Sequence, residues 1–501
     1  MNALGAVASA WGVNDHGQVV GTGTPGGILW QSGVITSLLS LLPPGSGWSL
    51  LGAKAINNRG QMVGFGYHNG QGRTFLMSPP KPWTLLFYLA GDNNLGVTYA
   101  PIVNRLEAGA EDPAVNVVAF WDNTPQNDSA YLHIQPDANL AQSAPYEDGV
   151  NRWPQGEVDM SNPDTLAAFL VWSAQHFPAD HYGLILDDHG SGLGGGLCDD
   201  SAGPGCASMM DLAEMQQALA TAQSQTGVKL DVLYMAMCLM GMLEDAYQFR
   251  DLADFYVASE HLQWAYDEPY TFYAAGILTD TAAADAAILL ADAYADVAAA
   301  GAVTYTISAV DMLRLGAVVS ATNALAAALD AHLAVISPTV ATIAANVQRF
   351  DNKAPKGLTP ADTYIDLYDF AALAGTELGA YPDITTAAGQ VMQAVNNYVI
   401  YESHGSDEGT NLDESHGVSI FFPATASSFY NPANYDFAVG ATWGGGMAAS
   451  QPAAAQASTW GGWLVHYFQV TQPDGLDDPI PPEPIAKLSA LTRLYLPLIL
   501  R

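Results

Sequence analysis

Two side chains in this sequence have the type and placement for nucleophilic chemistry, Cys238 and His189. Cys238 closes the apolar run Leu230-Asp-Val-Leu-Tyr-Met-Ala-Met-Cys238 and is followed at once by Leu239-Met240-Gly241. Upstream, the run Tyr182-Gly-Leu-Ile-Leu-Asp-Asp188 leads into His189-Gly190. Both runs have the length and apolar density of buried parallel strands. Catalytic groups of open α/β sheets collect at the carboxyl ends of such strands. A thiol and an imidazole brought to neighbouring strand ends supply a nucleophile and its acid/base partner, the parts of a cysteine hydrolase. The competing reading is that Cys238 is a small buried hydrophobe.

The chain has three cysteines, at 198, 206 and 238. Cys198 and Cys206 flank Asp-Asp-Ser-Ala-Gly-Pro-Gly, a stretch able to close as a disulfide loop in an oxidising compartment. Pairing them leaves Cys238 as the free thiol. Two free loop thiols are the alternative.

These groups need a frame, and composition describes it. The 501 residues suffice for two or three domains with a full-sized core. Fifty acidic against fifteen basic residues give a net charge of −35, which disfavours nucleic acid and anionic membranes as partners. The acids are dispersed and 49% of residues are hydrophobic, which argues against disorder. Low lysine, many glycines and sparse cysteine suit an extracellular or cell-surface bacterial protein. Met1 to Ala10 lacks a charged leader region and a sustained apolar core, so no signal peptide is legible. No uninterrupted apolar stretch is expected to span a bilayer.

Residues 1–79 carry an internal repeat. Val13-Asn14-Asp-His-Gly17-Gln18-Val-Val-Gly21 returns as Ile56-Asn57-Asn-Arg-Gly60-Gln61-Met-Val-Gly64, an offset of 43 residues (57 minus 14). Each copy reads as strand, Asn/Gly turn, strand, with a further apolar strand behind it. Such units stack on neighbours, and two copies cannot close a propeller, so a truncated beginning is expected. Pro79-Pro80-Lys81-Pro82 reads as a linker. A second domain, residues 83–472, alternates strands (Trp83–Ala90, Val115–Trp121, the His189 and Cys238 runs, Phe255–Glu260) with helical patterns such as Asp211–Gln225, where Asp211 is a candidate N-cap. That alternation argues for an α/β fold with a mostly parallel sheet. An alanine-rich helical region, about 273 to 400, is interrupted by Thr304–Asp311, and Val418–Pro423 reads as a late strand. Residues 473–501 form a proline-rich linker and an apolar tail, read either as a sorting or surface-attachment signal or as a docked terminal strand.

Ordered patches of the second domain resemble the clostripain family of cysteine peptidases. They are Leu89-Ala-Gly-Asp-Asn-Asn-Leu95, His189-Gly190, Cys238-Leu-Met-Gly241, Ala258-Ser-Glu260, Tyr364-Ile-Asp-Leu-Tyr-Asp-Phe370 and Gly417-Val-Ser-Ile-Phe-Phe-Pro423. The repeats resemble the HAF family of extracellular repeats. The first resemblance covers roughly residues 83 to 425 and implies a caspase-like αβα sandwich with helical insertions and endopeptidase activity on protein or peptide substrates. It implies Cys238 as nucleophile, His189 as general acid/base, and the backbone amides of Gly190 and Cys238 as oxyanion donors. It implies no required cofactor.

Two departures stand out. Members of that family that cut after Arg or Lys carry an Asp two residues before the nucleophile, where this chain has Ala236. Glu260, Asp267 or Glu268 are candidates to restore a negative substrate pocket, and Trp264 with Tyr266 to wall an apolar one. Between Ser191 and Met237 the only basic residue is Lys229, so self-cleavage there is not expected. Asp187, Asp188, Asp199 and Asp200 are candidates for calcium, Ca2+ being a hard ion suited to carboxylates; solvated loop acids are the alternative. The glycine-rich stretch Gly190–Gly196 lacks the Gly-Lys-Ser/Thr of a phosphate loop and reads as an active-site rim. His181, His261, His404 and His416 show no zinc spacing. The rival class is a catalytically silent peptidase-like binding module on a repeat stalk, and the nearer rivals are amidase or transpeptidase chemistry.

Overall fold

The structure, a computed structural model, describes residues 9–24, 26–42, 46–123, 127–137, 140, 151–199, 208–352, 357–407, 409–425 and 459–472. The proline-rich linker and apolar tail from 473, and Cys206, lie outside the described residues.

The first region holds two small antiparallel sheets, four strands within Ser9–Ser37 and three within Trp48–Met77. The repeated Asn-x-x-Gly-Gln motif builds the same turn in both. Asn14 Oδ1 accepts from the amides of His16 (3.2 Å) and Gln18 (3.0 Å), and Asn57 Oδ1 from those of Arg59 and Gln61 (3.0 Å each). Gly17 and Gly60 both have φ +73°, the left-handed region that favours glycine.

The second region is built on nine strands: β1 (Lys81–Gly91), β2 (Val115–Asn123), β3 (Ser129–His133), β4 (Asn151–Gly156), β5 (Ala179–Asp187), β6 (Leu230–Ala236), β7 (Ala253–Ala258), β8 (Tyr305–Asp311) and β9 (Val399–Gly405). Their order across the sheet is β4-β3-β2-β1-β5-β6-β7-β8-β9. The five central strands are parallel, and an antiparallel pair extends each edge. The central runs are apolar on both faces because both faces are covered. In β6, Leu233 and Met235 face one core; Val232, Tyr234 and Ala236 face the other. The helices Pro163–His176, Leu212–Thr226, Leu315–Asn346, Leu367–Glu377, Pro382–Tyr398 and Trp460–Thr471 contribute to the first core, and Gly96–Gly109, Pro269–Gly276 and Ala283–Ala300 to the second. The mostly parallel α/β sheet expected from the sequence is present, and its helical region covers the sheet. Asp211 caps its helix: its carboxylate accepts from the Glu214 amide while Glu214 accepts from the Asp211 amide.

Several elements depart from the sequence reading. The edge strands β3, β4 and β9 carry no clear apolar signal. Residues 418–423 contribute Ser419–Phe421 to a separate three-stranded sheet with Arg349–Phe350 and Tyr364–Asp366, outside the main sheet. The helical segment Met312–Asn346 is long and apolar enough, by length and composition, to cross a membrane, contrary to the expectation of no such stretch. Alanines raise its hydropathy, while Val318, Leu325, Leu329, Leu333, Ile336, Val340 and Ile343 form a buried stripe against the core.

The interior is rich in ionisable groups. Burial raises Asp122 to about 8, and Asp187 and Glu244 to about 7, while it lowers His133, His189 and His261 to about 4. An acid with a raised folded-state value contributes stability that is lost as pH rises through that value; a histidine with a lowered value contributes stability that is lost as pH falls below its unfolded value. The two sets oppose each other between about pH 4 and 6.5, and only the acids act above that. The melting temperature should therefore fall by at least about 2 °C between pH 6.5 and 8, read by calorimetry. A rise across that window would show that these acids are ionised in the folded protein.

Candidate active site

The β5 and β6 strands are adjacent, parallel and in register, with Asp187 opposite Ala236. His189 and Cys238 each lie two residues beyond that last pair, so both emerge at the carboxyl edge of the sheet on neighbouring strands. The turns that carry them touch. A Cβ placed on Gly190 would lie 2.5 Å from the Cys238 carbonyl oxygen and 2.7 Å from Met237 Cβ, so only glycine allows this approach. Leu239, directly after Cys238, has φ +69°, a conformation that costs a branched side chain energy and turns the chain sharply. That turn is tied to the end of β7: Leu239 N–H donates to His261 O (2.9 Å) and Gly241 N–H to Ser259 O (2.7 Å).

His189 is buried, and its Nε2 lies 2.9 Å from Asn94 Oδ1 at the end of β1. The amide oxygen accepts, so Nε2 carries the proton and Nδ1 is left as the basic nitrogen. The preceding residue anchors the same loop: Asn93 Nδ2 donates to Asp188 Oδ1 (2.9 Å), Ala90 O (3.0 Å) and Cys198 O (3.2 Å). Asp188 accepts in addition from the amides of His189 and Cys198. Desolvation lowers the imidazole to about 4.

Cys238 is partly exposed, and its sulfur sits against Gln263. The Gln263 amide lies 3.3 Å from Sγ and donates to it, while Gln263 Nε2 donates to Tyr234 Oη (2.6 Å). Burial pushes the thiol up to about 11. Near neutral pH the thiol and the imidazole are therefore both uncharged. Among the described residues, neither the Gly190 nor the Cys238 amide donates to a backbone carbonyl.

The expected pocket residues separate. Ala236 packs in the second core, and the acid at its level is its register partner Asp187, held by the hydroxyls of Tyr99 and Tyr270. Glu260 is buried with its carboxylate accepting from the Gly417 amide (2.9 Å), beside Asp366 and Glu402, which raise its pKa further after desolvation. Asp267 pairs with Arg105 (2.8 Å). The Trp264 indole donates to Thr304 O (2.7 Å). Asn94 and Gln263 were missed by the sequence reading. Only the Leu89–Leu95 patch contained a signal, and that for Asn94 alone.

Cys198 is disulfide-bonded and Cys238 is free; Cys206, the expected partner, lies outside the described residues. Asp187 is held by two tyrosines, and Asp199 accepts from the Met160 amide (2.8 Å), while Asp200 is outside the described residues. Among the described residues the one group with metal-ligand spacing is Asp188, His189 and Cys198, and disulfide bonding removes the Cys198 thiolate from it.

A mostly parallel sheet with a thiol and an imidazole on adjacent strand ends defines the architecture of a cysteine peptidase. The chain belongs to the clostripain family, whose family model matches residues 87–448. It is similar to clostripain of Hathewaya histolytica, 28% identical over 211 residues, a match spanning 36% of this chain and 39% of that protein. Its fold is similar to that of a secreted cysteine protease from Bacteroides thetaiotaomicron solved with an irreversible peptide inhibitor (TM-score 0.52, 20% identity, 68% of this chain and 93% of that one). An inactive zymogen protease from Parabacteroides distasonis is likewise similar (TM-score 0.51, 18% identity, 69% and 94%).

The paired asparagines make a test. Asn94→Ala should lower kcat about 10- to 100-fold with an unchanged melting temperature, since Asn94 holds the His189 ring through one hydrogen bond at Nε2. Asn93→Ala should instead destabilise the fold by about 1–3 kcal/mol, since it leaves buried acceptors unpaired. Equal effects of both variants on stability and rate would remove the distinction.

Proposed function

We propose that the protein is a secreted cysteine endopeptidase in which Cys238 is the nucleophile and His189 the general acid/base. The observation that carries this reading is the in-register juxtaposition of the two strand ends, with Gly190 packed against Cys238. As Sγ attacks the scissile carbonyl, its proton passes to His189 Nδ1 and a C–S bond forms. The amides of Gly190 and Cys238 receive the developing oxyanion. The imidazolium then protonates the leaving amine nitrogen, and the C–N bond breaks. Water, deprotonated by His189, attacks the thioester and releases the second product as the acid. A caspase-like arrangement accounts for these roles, and the HAF-like region serves as an extracellular stalk.

Selectivity for the side chain before the scissile bond follows from what lines the Ala236 level. A methyl group gives no reward to a cationic side chain there, and Asp187 is already engaged by two hydroxyls. Strong Arg/Lys preference is therefore not part of this proposal. Calcium is tested by titrating it into the protein after chelation.

Cys238→Ala and His189→Ala should each abolish hydrolysis of a peptide library, by at least about 1000-fold, with the fold retained. Product analysis by mass spectrometry separates peptide hydrolysis from amidase or transpeptidase action. Wild-type turnover by either folded variant would sink the dyad, and failure of a thiol-reactive peptidyl probe to label Cys238 would favour a silent binding module. Gly190→Ala should lower turnover by a comparable factor, because its Cβ has no room beside Cys238; an active, folded Gly190→Ala enzyme would show that the contact is dispensable.

A further inference from the structure

Whatever group the Cys238 sulfur attacks has Gln263 for a neighbour. The Gln263 amide donates to Sγ (3.3 Å), and the thiol donates to Gln263 O (3.5 Å). The residue stands on a strap, 261–264, that follows β7 and is pinned at both of its ends. The His261 amide donates to Thr306 Oγ1 (3.0 Å), and His261 O accepts from the Leu239 amide (2.9 Å). The Trp264 amide donates to Tyr294 Oη (2.8 Å) and its indole N–H to Thr304 O (2.7 Å). The backbone of Gln263 is therefore fixed beside the sulfur.

Its side chain turns inward. Gln263 Nε2 donates to Tyr234 Oη (2.6 Å), and that hydroxyl meets Tyr273 Oη (3.4 Å). Tyr234 and Ala236 face the same core from β6, and Ala236 lies between Tyr234 and Cys238 along the chain. The Gln263 side chain thus spans the level of Ala236, from the thiol to the Tyr234 hydroxyl. The methyl group of Ala236 leaves room there, and the carboxamide fills it. Gln263 Oε1 is buried and accepts no hydrogen bond among the described residues, so it presents no acceptor for a substrate to find. Bulk and the one bond to Tyr234 are what the side chain contributes.

In the residue whose carbonyl is attacked, the side chain begins one carbon away from the new bond to Sγ, hence beside Gln263. We propose that Gln263 is a specificity-determining residue whose side chain plugs the pocket at the Ala236 level, so that the enzyme cleaves after glycine, alanine and serine and excludes long or aromatic side chains before the scissile bond. This rests on Cys238 being the nucleophile. A small side chain leaves the plug in place. A long one enters only by expelling the carboxamide from Tyr234 and from its packed position. A cationic side chain meets the same obstruction and gains nothing behind it, because Asp187 is held by the hydroxyls of Tyr99 and Tyr270.

Cleavage-site profiling of the full chain on a peptide library, read by mass spectrometry, tests the plug. The parent should favour Gly, Ala and Ser before the scissile bond over Leu, Phe and Arg by at least about 10-fold in kcat/KM, a margin that a misfit of one methylene already produces. Gln263→Ala opens the pocket and should reduce that ratio by about 10-fold, chiefly by gaining rate on Leu and Phe substrates. Gln263→Met keeps the bulk without the carboxamide and should keep the preference for small residues. Tyr234→Phe removes the hydroxyl that anchors the carboxamide and should shift the ratio in the direction of Gln263→Ala, by less, which keeps the test decisive if Gln263→Ala does not fold. A parent that prefers large or basic residues, or an unchanged ratio in both Gln263→Ala and Tyr234→Phe, would overturn the plug. So would a parent preference for Asn or Gln that Gln263→Met abolishes, since the amide would then be acting through hydrogen bonds. Cys238→Ala run in parallel keeps the two readings apart: hydrolysis that survives it removes the nucleophile, whereas Cys238-dependent hydrolysis with the wrong profile removes only the plug.

Discussion

The abutment of two turns governs the candidate site. β5 and β6 run side by side in register, and each must reverse at its end without separating the residues that follow. Gly190 permits this because its missing side chain lets its backbone rest against the Cys238 carbonyl. Leu239 completes the arrangement by adopting a left-handed conformation, held by hydrogen bonds to the end of β7. Local strain of this kind persists where surrounding bonds over-determine it. The central strands therefore act as rails, and the chemistry depends on where the rails stop.

Burial sets the resting state of the pair. Water exclusion disfavours both charged forms, so the imidazole sits low and the thiol high. The loop after β1 prepares this state twice. Asn93 binds the backbone and Asp188, and Asn94 selects the imidazole tautomer. The disulfide-bonded Cys198 shares this network, which ties the turn after β5 to the hairpin that follows it.

The repeat region obeys a related rule on a larger scale. Glycines at positions 12, 27 and 52 bring sheet backbones close enough for side chains of the facing unit to close a small core.

Much of the frame was legible because it rests on local patterns. Apolar runs bounded by glycine mark the central strands, Asp211 with Glu214 marks a helix start, and Asn14-x-x-Gly17-Gln18 marks a turn whose bonds lie within five residues. The same locality placed Cys238 and His189 at strand ends. The edge strands were not legible, since their short, mixed sequences become strands by pairing with a neighbour. Nor were the partners: Asn94 meets His189 across 95 positions, and Gln263 meets Cys238 across 25. The fate of Glu260, expected near the substrate and found on the Gly417 amide, was decided the same way. By itself the sequence determined which residues stand at the ends of which strands, because apolar periodicity and turn chemistry act between near neighbours. Only the tertiary structure decided which of those ends meet, what each polar atom is bonded to, and hence the protonation state of the thiol and the imidazole, because desolvation and hydrogen bonding depend on groups that folding brings together from distant parts of the chain.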